Sequence, residues 1–191
     1  AHEAGQIVES ALSKTHPNWI IDTVALADGG EGFCEILTNS LKGALENHTV
    51  PGSILNPIEA NLGWVAGEQL SQETRTDWKL NDQSKVAIIE MAQATGLQEL
   101  PIDKRDCWKT SSFGTGQLIK LAVEAGAETI LLGVGGSSTN DLGLGVLESL
   151  GLEFYDLNGE RLISARPELW HKIDHLGKTQ PKKQPTKKKK K

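Results

Sequence analysis

Hydrophobic positions fall into short periodic stretches separated by glycine-rich polar segments. Across residues 3–14, Ala4, Ile7, Val8, Ala11 and Leu12 form one helical stripe, and Pro17 stops it. Residues 20–26 read as a strand running into Asp28-Gly29-Gly30-Glu31-Gly32. Residues 32–41 predict a second helix with Phe33, Ile36 and Leu37 inward. Further on, Ile58, Ala60, Leu62, Trp64 and Ala66 alternate with polar or small residues, the mark of a half-buried antiparallel strand. Residues 67–81 are polar and read as a surface excursion, with 44–84 as a candidate sub-lobe. KVAIIEM, residues 85–91, is continuously apolar until its acid and suits a central parallel strand. A helix over 114–125 carries Leu118, Leu121, Ala122 and Ala125 on one face. TILLGV, residues 129–134, is another buried strand, followed by a glycine-rich loop and a helix over 141–150. A strand at 152–155 closes the unit, with Asn158-Gly159 as a turn.

Strands alternating with helices predict an α/β fold. The expected architecture is a mainly parallel sheet with flanking helices, in Rossmann- or flavodoxin-like layers with right-handed crossovers. Residues 1–176 form the expected α/β segment, and 177–191 a disordered lysine-rich tail.

Composition narrows the function classes. With 191 residues, 38% hydrophobic and 24% charged, the chain is an ordinary globular protein. No apolar run approaches the ~18 residues of a membrane span, and no secretory signal opens the chain. The two cysteines, Cys34 and Cys107, are too few for a disulfide framework or a thiolate metal site and suit a reducing cytoplasm. The net charge of −5 hides a split, because eight of the 20 basic residues lie between Lys178 and Lys191. The rest carries 12 basic against 25 acidic residues, which excludes specific nucleic-acid binding through a broad basic face. The tail alone could take polyanions in a salt-dependent way.

Three polar loops carry the candidate chemistry, because ligands of open parallel sheets bind beyond the carboxyl ends of the strands. The first, Gly133-Val-Gly-Gly-Ser-Ser-Thr-Asn-Asp141, follows TILLGV and leads to a helix. Glycines let backbone N–H groups approach an anion, and hydroxyls add donors. Gly135-Gly136 could equally be a tight turn, and Asn140 or Asp141 a helix cap. The second, Thr110-Ser-Ser-Phe-Gly-Thr-Gly116, also offers hydroxyls and glycines at a helix start. In the third, Asp28 and Glu31 stand among glycines, as Mg²⁺ ligands or acceptors for substrate hydroxyls. Glu90 ends an apolar strand, so burial would oblige it to find a ligand or a partner such as Lys104 or Arg105.

Together these segments resemble the bacterial-type glycerate kinase family. The matching stretches are ADGGEG at 27–32, IIEMAQATGL at 88–97, KRD at 104–106, TSSFGTGQLI at 110–119 and GVGGSSTNDLGLG at 133–145. The resemblance implies transfer of the γ-phosphoryl group of ATP to D-glycerate with Mg²⁺, giving 2-phosphoglycerate. It also implies part of a two-domain kinase fold, truncated at both ends. The family's opening strand and Pro-Asp-Ser loop do not precede Ala1, and the family-like text fades near Asp174. Leu142 stands where the family usually has glycine.

On this reading ATP phosphates lie against Gly133, Gly135, Gly136, Ser137 and Ser138, with Gly114, Thr115 and Gly116 as a second cradle. Asp141 holds Mg²⁺ or takes the glycerate hydroxyl proton, and Asp28 serves catalysis and metal. Glu31, Glu90, Ser111, Thr139 and Asn140 are the substrate contacts. Two other readings are open. One is an NAD(P)-dependent oxidoreductase using the Gly133 loop, which lacks the third glycine of that fingerprint; the other is an inactive fragment of such a kinase.

Overall fold

The structure, a computed structural model, describes residues 2–163 and 166–178. Its organising strand is β3 (Lys85–Glu90), buried after its first residue. Successive side chains leave opposite faces of a strand, so Val86 and Ile88 enter one core while Ala87 and Ile89 enter another. A continuous apolar run therefore means that both faces are covered.

On one face lies α2 (Phe33–Ser40), closing a core of Cys34, Val65, Leu70, Val86 and Ile88. The other face takes α4 (Met91–Thr95) and α5 (Phe113–Glu124), where Ala94, Leu118 and Ala122 meet Val50, Ala60, Leu62, Ala87 and Ile89. Each fully buried Leu or Ile in these clusters contributes about 1.5–3 kcal/mol.

The sheet differs from the expected one. Its order is β1-β2-β3-β4, with β1 (Ala44–Pro51) and β2 (Pro57–Ala66) as an antiparallel hairpin. β2 pairs antiparallel with β3, and only β4 (Thr129–Gly133) runs parallel to it. The mainly parallel, Rossmann-like layering is thus corrected to a mixed sheet with one parallel ladder among the described residues. The candidate sub-lobe at 44–84 supplies β1 and β2 to this same sheet. Within the polar stretch 67–81, α3 (Gln72–Trp78) forms with no buried residue. Ser71 starts it by accepting from the Thr74 amide, and Lys79 ends it in a left-handed conformation.

The strand expected at 20–26 does not form. Ile20 is fully exposed, as are most of Val24 and Leu26, and no ladder reaches them among the described residues. Apolar β-formers need a partner strand to satisfy their backbone. The helix expected at 3–14 does form as α1 (His2–Thr15), but Ile7 and Val8 point to solvent rather than into a core.

After β4 comes α6 (Leu144–Ser149), packed closely on α5. A second, antiparallel sheet follows in the order β6-β5-β7, from β5 (Leu152–Tyr155), β6 (Arg161–Leu162) and β7 (His175–Lys178). Asp156 organises the Asn158-Gly159 turn, its Oδ1 accepting the amides of Asn158 at 2.9 Å and Glu160 at 2.8 Å. Gly177 and Lys178, assigned from sequence to the tail, belong to β7; residues 179–191 lie outside the described residues.

Candidate active site

β3 and β4 end side by side, with Glu90 in register with Gly133, and all three polar loops meet at this edge. Residues 28–32 lie directly on 133–136, where the Gly135 amide donates to the Gly29 carbonyl at 2.8 Å. A Cβ on Gly135 would stand 2.7 Å from Gly30 Cα, so glycine there permits two backbones to touch. Gly136 turns with φ 68°, and a Cβ would stand 2.6 Å from Glu31 Oε1. The Glu31 carboxylate therefore lies over the turn.

The far side of the turn is tied to α4 and α5. The Leu97 amide donates to the Gly136 carbonyl at 2.8 Å, while the Ser138 amide and hydroxyl both donate to the Thr95 carbonyl at 2.9 Å. Thr110 Oγ1 donates to the Ser138 carbonyl at 2.9 Å, and the hydroxyls of Ser53 and Ser138 are hydrogen-bonded at 2.6 Å. Ser111 closes the circuit by donating its amide to the Ser53 carbonyl at 2.9 Å.

Much of what the sequence offered as ligand donors is used internally. Thr115 Oγ1 pairs with Thr95 Oγ1 at 2.9 Å, and Ser111 Oγ accepts from the Phe113 amide at 3.2 Å. All three of Ser111, Gly114 and Thr115 are buried. A side chain on Gly114 would collide with the Pro51 carbonyl, and one on Gly116 would stand 2.8 Å from Val146 Cα. Gly114 and Gly116 thus permit close packing against Pro51 and α6, and the Thr115 hydroxyl is turned inward. Gly133 is likewise covered by the Phe33 ring and the Gly29 carbonyl, and Ser138 points inward.

Asp141 is 2% exposed. Its Oδ2 accepts from the Ser112 amide at 2.7 Å, the Ser112 hydroxyl at 2.8 Å and the Gly145 amide at 3.1 Å. Its Oδ1 accepts from the Gly143 amide at 3.1 Å. The carboxylate fastens the start of α5 to the approach of α6, which leaves it badly disposed to hold Mg²⁺ or receive a substrate proton. The helix expected from 141 starts at Leu144, because Leu142 (φ 54°) and Gly143 (φ 72°) are left-handed. Residues 134–143 also separate β4 from α6, whereas a dinucleotide fingerprint needs a tight turn leading directly into its helix.

Glu90 is also 2% exposed, and its partners are neither Lys104 nor Arg105. Oε1 accepts from the Gly32 amide at 3.1 Å; Oε2 accepts from the Cys34 amide at 3.1 Å and Gln93 Nε2 at 3.4 Å. Beside it, burial pushes the Cys34 thiol up to about 11, and the thiol donates to the Ile88 carbonyl at 3.2 Å.

What stays open to a ligand is Asp28, Glu31, Gly136 and Asn140, with Ser137 and Thr139 half-buried. The amides of Gly136 and Ser137 donate to no protein acceptor among the described residues. No group of three or more acidic, His or Cys side chains suited to a metal occurs among the described residues. Mg²⁺ needs only one or two carboxylates beside phosphate and water oxygens, so the exposed Asp28 and Glu31 fit it and the enclosed Asp141 does not.

The sequence model of the family described as Glycerate kinase family matches residues 1–188. The chain belongs to the glycerate kinase family. The Glycerate 2-kinase of Escherichia coli (strain K12) is 38% identical over 162 residues, which are 85% of this chain and 38% of the relative. A Glycerate kinase of Halalkalibacterium halodurans is 36% identical over 160 residues, 84% of this chain and 38% of that one. A crystal structure of a glycerate kinase 2 from Salmonella typhimurium LT2 superposes with a TM-score of 0.66 at 32% identity, covering 90% of this chain and 42% of the other. The chain thus spans about two fifths of the length of the curated relatives it matches.

Within this member of the glycerate kinase family, sequence reasoning missed Ser53, Thr95 and Ser112, which knit the loops together. Thr95 and Ser112 lay inside stretches that carried the resemblance. Ser53 gave no signal, because its partner Ser138 is 85 positions away. No helix among the described residues is long and apolar enough to cross a membrane.

Proposed function

We propose that the chain forms part of a site that phosphorylates D-glycerate from ATP with Mg²⁺, yielding 2-phosphoglycerate. The observation that carries this reading is the 2.8 Å hydrogen bond from Gly135 to Gly29, which brings the acidic loop and the glycine turn into one site. Phosphoryl transfer depends on positioning and electrostatic stabilisation, and this junction offers both.

The residues take these roles. The amides of Gly136 and Ser137 receive phosphate oxygens, with the side chains of Ser137, Thr139 and Asn140 beside them. Asp28 and Glu31 would hold the Mg²⁺ ion, and Asp28 would accept the proton of the glycerate hydroxyl as the glycerate oxygen bonds to the γ-phosphorus and the bond to ADP breaks. ATP, when bound with Mg²⁺, supplies the γ-phosphoryl group, leaving ADP. Asp141 keeps the turn in place and does not touch the reacting atoms. Relatives named Glycerate kinase and Glycerate 2-kinase support the substrate class.

D-glycerate-dependent release of ADP by the chain tests this directly. Replacing Asp28 by Asn should lower the rate by about 10²–10⁴, the range for loss of a general base. Unchanged turnover in that variant would contradict the role given to Asp28. A second reading, a segment inert without further polypeptide, is favoured by the open edge of β4, where Leu132 and Val134 are exposed. No release of ADP from the chain alone, with D-glycerate-dependent release once further polypeptide is supplied, would favour it.

A further inference from the structure

The mechanism above leaves Glu90 without a role, yet a buried carboxylate is expensive to keep. Among the described residues it has no cationic partner, and its charge is met by N–H donors alone. The donors sit on both oxygens, Gly32 on Oε1 and Cys34 on Oε2. This arrangement selects a carboxylate over its isostere. A glutamine has one accepting oxygen, and its NH₂ group would face one of the two amides donor to donor.

The placement matters more than the count. Gly32 closes the acidic loop, and Cys34 lies in the first turn of α2. The other end of the loop is fixed by Gly29 accepting from Gly135, and Asp28 Oδ1 accepts from the Gly30 amide at 3.1 Å. Asp28 and Glu31, the two exposed acids, are thus carried on a short bridge. One end rests on the glycine turn, and the other is held by the last residue of β3. Gln93 adds stiffness, since its Oε1 accepts from the Asn61 amide at 2.7 Å while its Nε2 donates to Glu90.

We propose that Glu90 is a positioning residue: by holding the amides of Gly32 and Cys34 it sets Asp28 and Glu31 against the Gly136 turn, and so fixes the affinity of the site for a divalent cation with a nucleotide. The affinity part rests on the kinase reading above; the anchoring part does not.

Glu90→Gln in the intact chain separates the two. Amide hydrogen exchange and binding of Mn²⁺ with ADP are measured under conditions where both proteins are folded. Protection of Gly32 and Cys34 should fall by about tenfold or more, the equivalent of one lost charge-assisted hydrogen bond, while Val86 and Ile88 stay protected. Affinity for Mn²⁺ with ADP should fall by about tenfold as well, a change that a purely structural role would not produce. If the variant keeps both protection and affinity, the proposal is overturned. Should Glu90→Gln fail to fold, the wild-type exchange decides: Gly32 and Cys34 exchanging as fast as exposed loop amides would also overturn it. If the wild type binds no Mn²⁺ with ADP while the protection changes as expected, the kinase reading fails and the anchor stands.

Discussion

Asp141 offers the sharpest quantitative expectation. Replacing it by Ala would leave the amides of Ser112, Gly143 and Gly145 and the Ser112 hydroxyl without their acceptor in a buried junction. A lost buried donor costs about 1–3 kcal/mol, but water entry and rotation of the hydroxyl recover part of it, so about 3–5 kcal/mol in total is reasonable. Asp141→Asn should be milder. Its oxygen can take the Oδ2 position with three donors, leaving NH₂ against the Gly143 amide at a cost of about 1–3 kcal/mol. Urea unfolding reads both. With a slope of about 2 kcal/mol/M, the Ala variant should shift the midpoint by about 1.5–2.5 M and the Asn variant by about 0.5–1.5 M. An Ala variant within about 0.5 kcal/mol of wild type would refute the anchoring role. So would an Asn variant of unaltered stability that had lost all turnover, since that pattern belongs to a reacting group.

Other expectations follow from single sites. Leu142 is exposed with φ 54°, so Leu142→Gly should relieve left-handed strain and stabilise the fold by about 0.5–1 kcal/mol; a lowered melting temperature would contradict this. Gly114→Ala should destabilise by about 1–3 kcal/mol through collision with Pro51, whereas a phosphate-cradle glycine would lose nucleotide affinity with the stability intact. A thiol reagent should modify the exposed Cys107 in the native protein and reach Cys34 only on unfolding. Because burial holds the folded Cys34 thiol up at about 11 from 9.0, its contribution is constant below about pH 9 and stability falls as pH rises from there toward about 11. A flat stability profile over that window would show the thiol to be less enclosed.

Where the sequence was legible, the reason is physical. KVAIIE reads as a central strand because both its faces are covered, and the alternation over 58–66 reads as antiparallel. β1, ALENHTVP, gave no pattern because it is an edge strand with most of its residues exposed. That omission turned a hairpin plus one parallel ladder into an expected parallel sheet. Residues 20–26 have strand composition, but composition cannot supply the neighbouring strand that a ladder requires. Residues 28–32 and 133–141 do lie beside the ends of β3 and β4, although the strand expected to lead into 28–32 does not form. The direction of their hydroxyls was not legible, since it depends on Thr95 and Ser53, brought in from other elements. Asp141 and Glu90 stood out as acids in apolar or glycine-rich settings. Only the positions of the surrounding amides distinguish an anchor from a ligand.

The central claim is that the loop bearing Asp28 and Glu31 and the turn at Gly136 form one binding site. Backbone amide resonances recorded while Mg²⁺ with a non-hydrolysable ATP analogue, and then D-glycerate, are added test it most directly. The account expects the changes to concentrate in residues 28–32 and 134–140. Changes centred instead on the separate cavity of about 440 Å³ lined by Lys42, Trp64, Gln69 and Lys85, where β3 starts rather than ends, would contradict it.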